Sequence, residues 1–317
     1  MSTNGKPKFA MYWAASCGGC EIAVLDINEK ILDVANLADI LFWPVALDFK
    51  YKDVEALPDR FADVCFFNGA IRNSEQEHVA KLLREKSKVM VAFGSCACFG
   101  GVPGLGNVSN REEIFDYVYQ TSPSTINPEG TLPKTTTTVA EGELTIPEFY
   151  DDVYPLQEIV PVEYFLPGCP PPAKLVLQAV EAIAAGKLPP PGATIASDKA
   201  LCHECRREKS AQKAIRKFYR PYEIIPDPEK CLLEQGLVCL GPATRGGCGA
   251  LCVEANVGCR GCFGPTPETT DQGVKFLSAV ASIIDATNPG EIEKIISGIR
   301  DPLGTFYQFT LPISQLR

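Results

Sequence analysis

Histidine is nearly missing from this sequence, with two in 317 residues, so any large metal site must be built mostly from thiolates. Long apolar runs are missing too. A membrane-spanning helix needs about 18 or more apolar residues in a row, and the richest stretch, VMVAFGSCACFGGV (89–102), is broken by glycines. Positive charge is in deficit: the formal net charge of −9 argues against a nucleic-acid partner, because phosphate binding calls for a basic surface. The opening MSTNGKPK has no apolar signal segment and no twin-arginine pair, which predicts a cytoplasmic chain.

Cysteine, by contrast, is abundant: there are fourteen. In the reducing cytoplasm that number points to metal or redox chemistry and away from a disulfide framework. The remaining composition, 45% hydrophobic and 22% charged, is that of an ordinary globular protein, long enough for two domains with real cores.

The first part alternates strand and helix patterns. KFAMYWAA (8–15), DILFWPVAL (39–47), DVCFFNGAI (63–71), KVMVAFGS (88–95) and VEYFLPG (162–168) read as strands. CEIAVLDINEKILDVA and PAKLVLQAVEAIAAG show helical spacing, and SEQEHVAKLLREK opens with a capping box of Ser74 and Glu77. Such alternation predicts an α/β fold, a flavodoxin-like doubly wound parallel sheet. Residues 120–160 read as a long polar excursion with little structure of its own. GKLPPPGA (186–193) reads as a stiff linker between a first domain, 1–190, and a second, 191–317. In the second, periodicity fades and cysteine, glycine and proline take over, a pattern expected to need bound metal to hold it.

Twelve cysteines sort into three sets of four. Cys17 and Cys20, Cys96, and Cys169 each follow a predicted strand. Ligands of open parallel sheets bind beyond the carboxyl ends of the strands, where strand order reverses, so these four are expected to share one crevice. The second set is Cys202, Cys205, Cys231 and Cys239, and the third Cys248, Cys252, Cys259 and Cys262. Pairs such as CHEC and CRGC suit structural zinc as well as iron–sulfur clusters, although a first set at strand ends favours clusters throughout. Cys65 and Cys98 are left over. Cys65 reads as a buried apolar residue, and Cys96 is preferred to Cys98 as a ligand because it directly follows the strand and its glycine.

In order along the chain, SCGGC, GSCACFGG, PGCPPP, CHEC, LGPATRGGC and CRGCFGP resemble the small subunit of a nickel–iron hydrogenase. The resemblance covers nearly the whole chain and is strongest to the cytoplasmic, viologen-reducing, deazaflavin-non-reducing type found with heterodisulfide reductase. It implies an electron-transfer subunit with three [4Fe-4S] clusters: proximal on Cys17, Cys20, Cys96 and Cys169, medial on Cys248, Cys252, Cys259 and Cys262, distal on Cys202, Cys205, Cys231 and Cys239. It implies a large-subunit partner that holds the Ni–Fe centre, and a [2Fe-2S] adaptor and heterodisulfide reductase as acceptors. Two alternatives are a single-cluster subunit of a respiratory or energy-converting complex, which CGGC and the eight further cysteines disfavour, and a zinc-stabilised binding module.

The sequence departs from better-known relatives at several places. Cys202 stands where many have histidine, and Cys252 where a proline goes with a three-iron cluster. Gly19 and Gly101 occupy the positions of two extra cysteines in oxygen-tolerant members, so oxygen sensitivity is expected. Ser16 replaces a glutamate common before the first cysteine. Glu21 reads as a helix-dipole carboxylate or a proton relay, His203 as a solvated residue or a donor to sulfur, and His78 as a surface residue. RREKSAQKAIRKFYR (206–220) reads as a docking patch for an acidic acceptor or as a basic exposed face.

Overall fold

The computed structural model describes residues 5–210 and 215–316. Ten strands run in chain order: β1 Lys8–Trp13, β2 Asp39–Phe42, β3 Ala62–Asn68, β4 Ile71–Asn73, β5 Ser87–Phe93, β6 Thr136–Val139, β7 Gly142–Thr145, β8 Phe149–Tyr154, β9 Tyr164–Leu166 and β10 Ala193–Thr194. Six form one parallel sheet in the order β10-β9-β5-β3-β1-β2. From β1 the chain crosses to β2 on one side, and β3 then starts the other side. Strand order therefore reverses between β1 and β3, the crevice at which doubly wound sheets hold their ligands.

Alternation along the central strands feeds two cores. Tyr12, Cys65, Phe67, Met90 and Ala92 face one way, against Val79, Ala80 and Leu83 of the helix Ser74–Lys86. Met11, Val64, Phe66, Val91 and Phe93 face the other, against Val34 and the helix Ala173–Ala184. That helix buries Val176, Ala179, Val180 and Ile183, one stripe at helical spacing. Each of its larger aliphatic side chains contributes roughly 1.5–3 kcal/mol by leaving water, so a charge at Val180 would break the contact. Burial on both faces explains why β3 and β5 read as continuous apolar runs.

Three expectations change. Ser74 does not cap its helix: Asn73 does, its Oδ1 accepting from the Gln76 N–H at 2.9 Å. Ser74 instead stitches to Glu148, whose N–H donates to the Ser74 hydroxyl at 2.9 Å, and Glu77 takes Lys81 and Tyr150. Asparagine and serine are near-equal caps, so sequence alone could not order them. The excursion is also more structured than its composition suggests. β6 and β7 form a hairpin, and β8 pairs antiparallel with β4, with Arg72 of β4 stacked 4.4 Å from the Phe149 ring of β8.

The cysteine-rich part, finally, has an apolar core of its own, with Leu201, Phe218, Leu232, Phe276 and Phe306 inside it. Helices Gln272–Ala281 and Pro289–Ile296 start on Asp271 and Asn288, whose side chains accept the first free N–H groups. Phe276 and Phe306 meet edge to face at 5.0 Å. An apolar core therefore helps hold this part together, which the sequence pattern did not announce. β10 reaches back to the first sheet three residues beyond position 190.

Candidate metal centres

The first four thiols lie beyond the carboxyl ends of β1, β5 and β9. Cys17 follows β1 and Cys20 sits in the short helix Gly19–Leu25. Cys96 sits in the helix Ser95–Phe99 after β5, and Cys169 follows β9. Their electrostatic neighbours are one another. Burial pushes Cys20 well up, and Cys96, Cys169, Cys98 and Cys17 push it further, in that order. Burial also lifts Cys96 to about 12, with Cys169 and Cys17 adding to it. Thiols crowded in this way resist ionising unless a cation joins them, which is what iron or zinc supplies.

Two glycines keep the crevice open. A Cβ on Gly94 would stand 2.3 Å from the Cys20 sulfur, and one on Gly101 would stand 2.6 Å from both the Cys96 sulfur and its Cα. Both have positive φ, 84° and 59°, so a side chain would be strained as well as crowded. Backbone N–H groups point at sulfur here: Gly19 donates to Cys17 at 3.4 Å, and Val102 donates to Cys96. Such donors favour an anionic sulfur, as a thiolate-bound cluster presents.

Cys202, Cys205, Cys231 and Cys239 line a cavity of about 40 Å³ together with Lys209 and Arg207. Burial and the neighbouring Cys239 and Cys231 thiols raise Cys202 to about 11, against the pull of the Lys209 ammonium. Cys262 rises to about 12, first through burial, with the Cys248, Cys169 and Cys252 thiols adding to it. Ala250 and Leu251 donate backbone N–H groups to Cys248, and Gly261 to Cys259. All fourteen cysteines are free. Among the described residues, no three His, Cys, Asp or Glu side chains converge on the position of a single metal ion.

The three sets touch in sequence. The Cys169 backbone favours the Cys262 thiolate, so the first set neighbours the third. The Cys259 N–H donates to the Cys239 sulfur at 3.3 Å, joining the third to the second. Ser95, beside Cys96, adds a hydroxyl bond of 2.6 Å to the Cys262 carbonyl.

The left-over cysteines are both fully buried. Cys98 is fully buried and donates its thiol to the Ala92 carbonyl at 3.3 Å, facing the core, whereas Cys96 faces Cys17 and Cys169. Cys65 is fully buried in β3. His78 and His203 are exposed, and the Ser16 hydroxyl caps only the nearby Gly18 N–H at 3.5 Å.

Glu21 departs from the helix-dipole expectation. It is buried, accepting from the Trp43 indole and from the Asn68 amide at 3.3 Å, and burial raises its pKa. Neither Trp43 nor Asn68 stood out in the sequence, because their relation to Glu21 exists only across the sheet. The basic stretch also divides. Arg207 is buried and donates to the carbonyls of Val253, Asp227 and Lys230, so it clamps two cysteine-bearing loops rather than facing a partner. Lys209 turns to the Cys205 carbonyl at 3.1 Å, and Arg216 pairs with Asp285 at 2.8 Å. Residues 211–214 of the stretch lie outside the described residues.

Residues 17–183, more than half of the chain, match the family described as NADH ubiquinone oxidoreductase, 20 Kd subunit. The iron-sulfur subunit of the F420-non-reducing hydrogenase of Archaeoglobus profundus is 43% identical over 310 residues, spanning 96% of both chains. The chain belongs to that family as a hydrogenase small subunit. The matching subunit of the F420-non-reducing hydrogenase of Methanothermobacter thermautotrophicus is 37% identical over 314 residues, 97% of this chain and 95% of that one. The crystal structure of an NAD+-reducing [NiFe]-hydrogenase in the H2-reduced state contains a chain that is 27% identical, with a TM-score of 0.51. That likeness covers 58% of this small subunit and 94% of the other. This small subunit thus works within a hydrogenase complex, in the electron-transfer role beside a large subunit. No helix among the described residues is long and apolar enough to cross a membrane.

Proposed function

We propose that this chain conducts electrons released from dihydrogen in the large subunit, through three [4Fe-4S] clusters, to a [2Fe-2S] adaptor and heterodisulfide reductase. Cys17, Cys20, Cys96 and Cys169 would hold the proximal cluster, Cys248, Cys252, Cys259 and Cys262 the medial, and Cys202, Cys205, Cys231 and Cys239 the distal. The clusters supply one-electron carriers at potentials the protein tunes through burial and hydrogen bonds to sulfur. The donor chemistry fits them: three sets of four thiols, ringed by backbone N–H groups.

The observation that carries this reading is a pair of hydrogen bonds between sets, from Ser95, beside Cys96, to the Cys262 carbonyl at 2.6 Å and from the Cys259 N–H to the Cys239 sulfur at 3.3 Å. They link the sets in the order first, third, second, the order a wire needs. Exposed Trp13, Ile22, Leu25 and Val102 lie near Cys17, Cys20 and Cys96 in sequence, and suit an apolar interface with the large subunit. All fourteen thiols being free accords with a reducing, cytoplasmic setting.

Electron paramagnetic resonance of the anaerobic complex, titrated under dihydrogen, tests this. Three interacting cluster signals are expected in the wild type. Cys239→Ala should remove one of them and slow reduction of a protein acceptor. A single cluster signal, or zinc in the last eight thiols, would overturn the wire.

A further inference from the structure

A second cleft, of about 430 Å³, opens in the cysteine-rich part beside the distal and medial thiols. Residues 219–221 with Pro226 and residues 298–301 with Gly304 form its walls, and Val238, Val257 and Arg260, from the loops that carry Cys239 and Cys259, reach it from within. Three arginines line it, Arg220, Arg260 and Arg300, and all are exposed. None of the three is in an ion pair among the described residues, and Arg260 meets only the neutral Gln308, at 3.2 Å. One carboxylate lines the cleft, Asp301, and it is engaged in capping its own helix by accepting the Gly304 N–H at 2.8 Å.

In a chain of net charge −9, three unpaired guanidinium groups in one concave site make a local reversal of sign. Guanidinium forks match carboxylates in geometry as well as charge. We propose that this cleft receives an acidic segment of the protein that takes electrons from this chain. The inference rests on the electron-transfer reading above, and places the exit at the wall behind Cys239 and Cys259. Of the basic stretch 206–220 first expected to do this, Arg207, Arg216 and Lys217 are engaged with carbonyls or with Asp285 and Glu223, and Arg220 at its end lines the cleft.

The test uses the anaerobically purified complex with three probes: a small acidic [2Fe-2S] ferredoxin, methyl viologen, and a fluorescent ten-residue glutamate peptide. In Arg220→Gln/Arg300→Gln, the KM for ferredoxin under dihydrogen should rise roughly tenfold, within the range that charge steering supplies. The kcat and the viologen rate should stay unchanged, and Arg220→Lys/Arg300→Lys should recover much of the loss. Peptide binding should weaken in parallel. An unchanged KM and unchanged peptide binding, or an equal rise in Arg216→Gln outside the cleft, would overturn the proposal. Peptide binding needs no clusters, so peptide binding that depends on Arg220 and Arg300 in a complex that reduces no ferredoxin under dihydrogen would sink the electron-transfer reading and leave the cleft standing.

Discussion

The backbone N–H of Cys259 donates to the sulfur of Cys239 across 3.3 Å, although the two residues lie in different thiol sets. That contact ties the last two sets into one unit. It also gives Cys239 a donor from outside its own loop, in addition to the Gly241 N–H. Loss of Cys239 should therefore disturb the neighbouring set as well as its own.

The choice between Cys96 and Cys98 can be read from iron content. Cys96→Ala should lose about four irons per chain, one cubane. Cys98→Ala should keep them all and cost on the order of 1 kcal/mol through the small cavity it leaves. Chemical iron analysis and a thermal melt on both variants decide the matter. Equal iron loss would mean that the fully buried Cys98 also serves the site.

Gly19 and Gly101 should behave differently when each is replaced by cysteine. A Cβ on Gly19 meets the Cys17 sulfur at 3.4 Å, a contact small shifts can relieve, whereas Gly101 has positive φ and a 2.6 Å clash with the Cys96 backbone. Gly19→Cys should load its clusters normally. Gly101→Cys should lose the proximal cluster or fail to assemble, so the two-cysteine arrangement of oxygen-tolerant relatives cannot be installed without moving the backbone at Cys96. Iron content and the low-temperature spectrum of the two variants would show this.

Acid stability should depend on Asp63. Burial opposes its ionisation, but the Lys88 ammonium at 2.7 Å and the Lys8 N–H at 2.8 Å outweigh it and hold the pKa below the usual carboxylate range. The bonds join β1, β3 and β5, two of which lead directly into the first thiol set. With the folded-state value depressed, this stabilisation is complete above the unfolded value near pH 4, and is lost as pH falls through the lower folded value. Asp63→Asn should be less stable by roughly 1–3 kcal/mol at pH 7, with the gap to the wild type closing as pH falls below the unfolded value and through the depressed folded one. Denaturant midpoints at pH 7, 5 and 3 test it, and a gap that widens in acid would contradict the assignment.

Arg207 should matter more for assembly than for encounter. Its guanidinium satisfies three carbonyls, so Arg207→Ala strands them at a cost of roughly 3–5 kcal/mol. Expected outcomes are a large drop in melting temperature and reduced iron in the last eight thiols, with salt dependence of acceptor binding unaltered.

Much of this was legible in the sequence because chemistry and periodicity coincide there. The apolar runs of β3 and β5 announced buried parallel strands, and cysteines directly after β1, β5 and β9 announced a crevice site. What the sequence withheld depends on contacts between distant segments. Asn73 rather than Ser74 caps its helix because Ser74 is held by Glu148, 74 residues on. Glu21 is buried only because Trp43 and Asn68 arrive from other parts of the sheet. Arg207 looked like part of a surface patch, since a single buried guanidinium among charged neighbours has no local signature. The core around Phe276 was hidden because its residues come from short segments spaced by glycine and proline.

Metal content decides whether each of the three thiol sets holds a cubane. The chain should be purified anaerobically with its partners and analysed for iron, sulfide, nickel and zinc. About twelve irons and twelve sulfides per copy, with nickel present only when the large subunit is present, is the predicted result. About four irons with zinc in the remaining sites would confine electron transfer to the first thiol set and contradict the account.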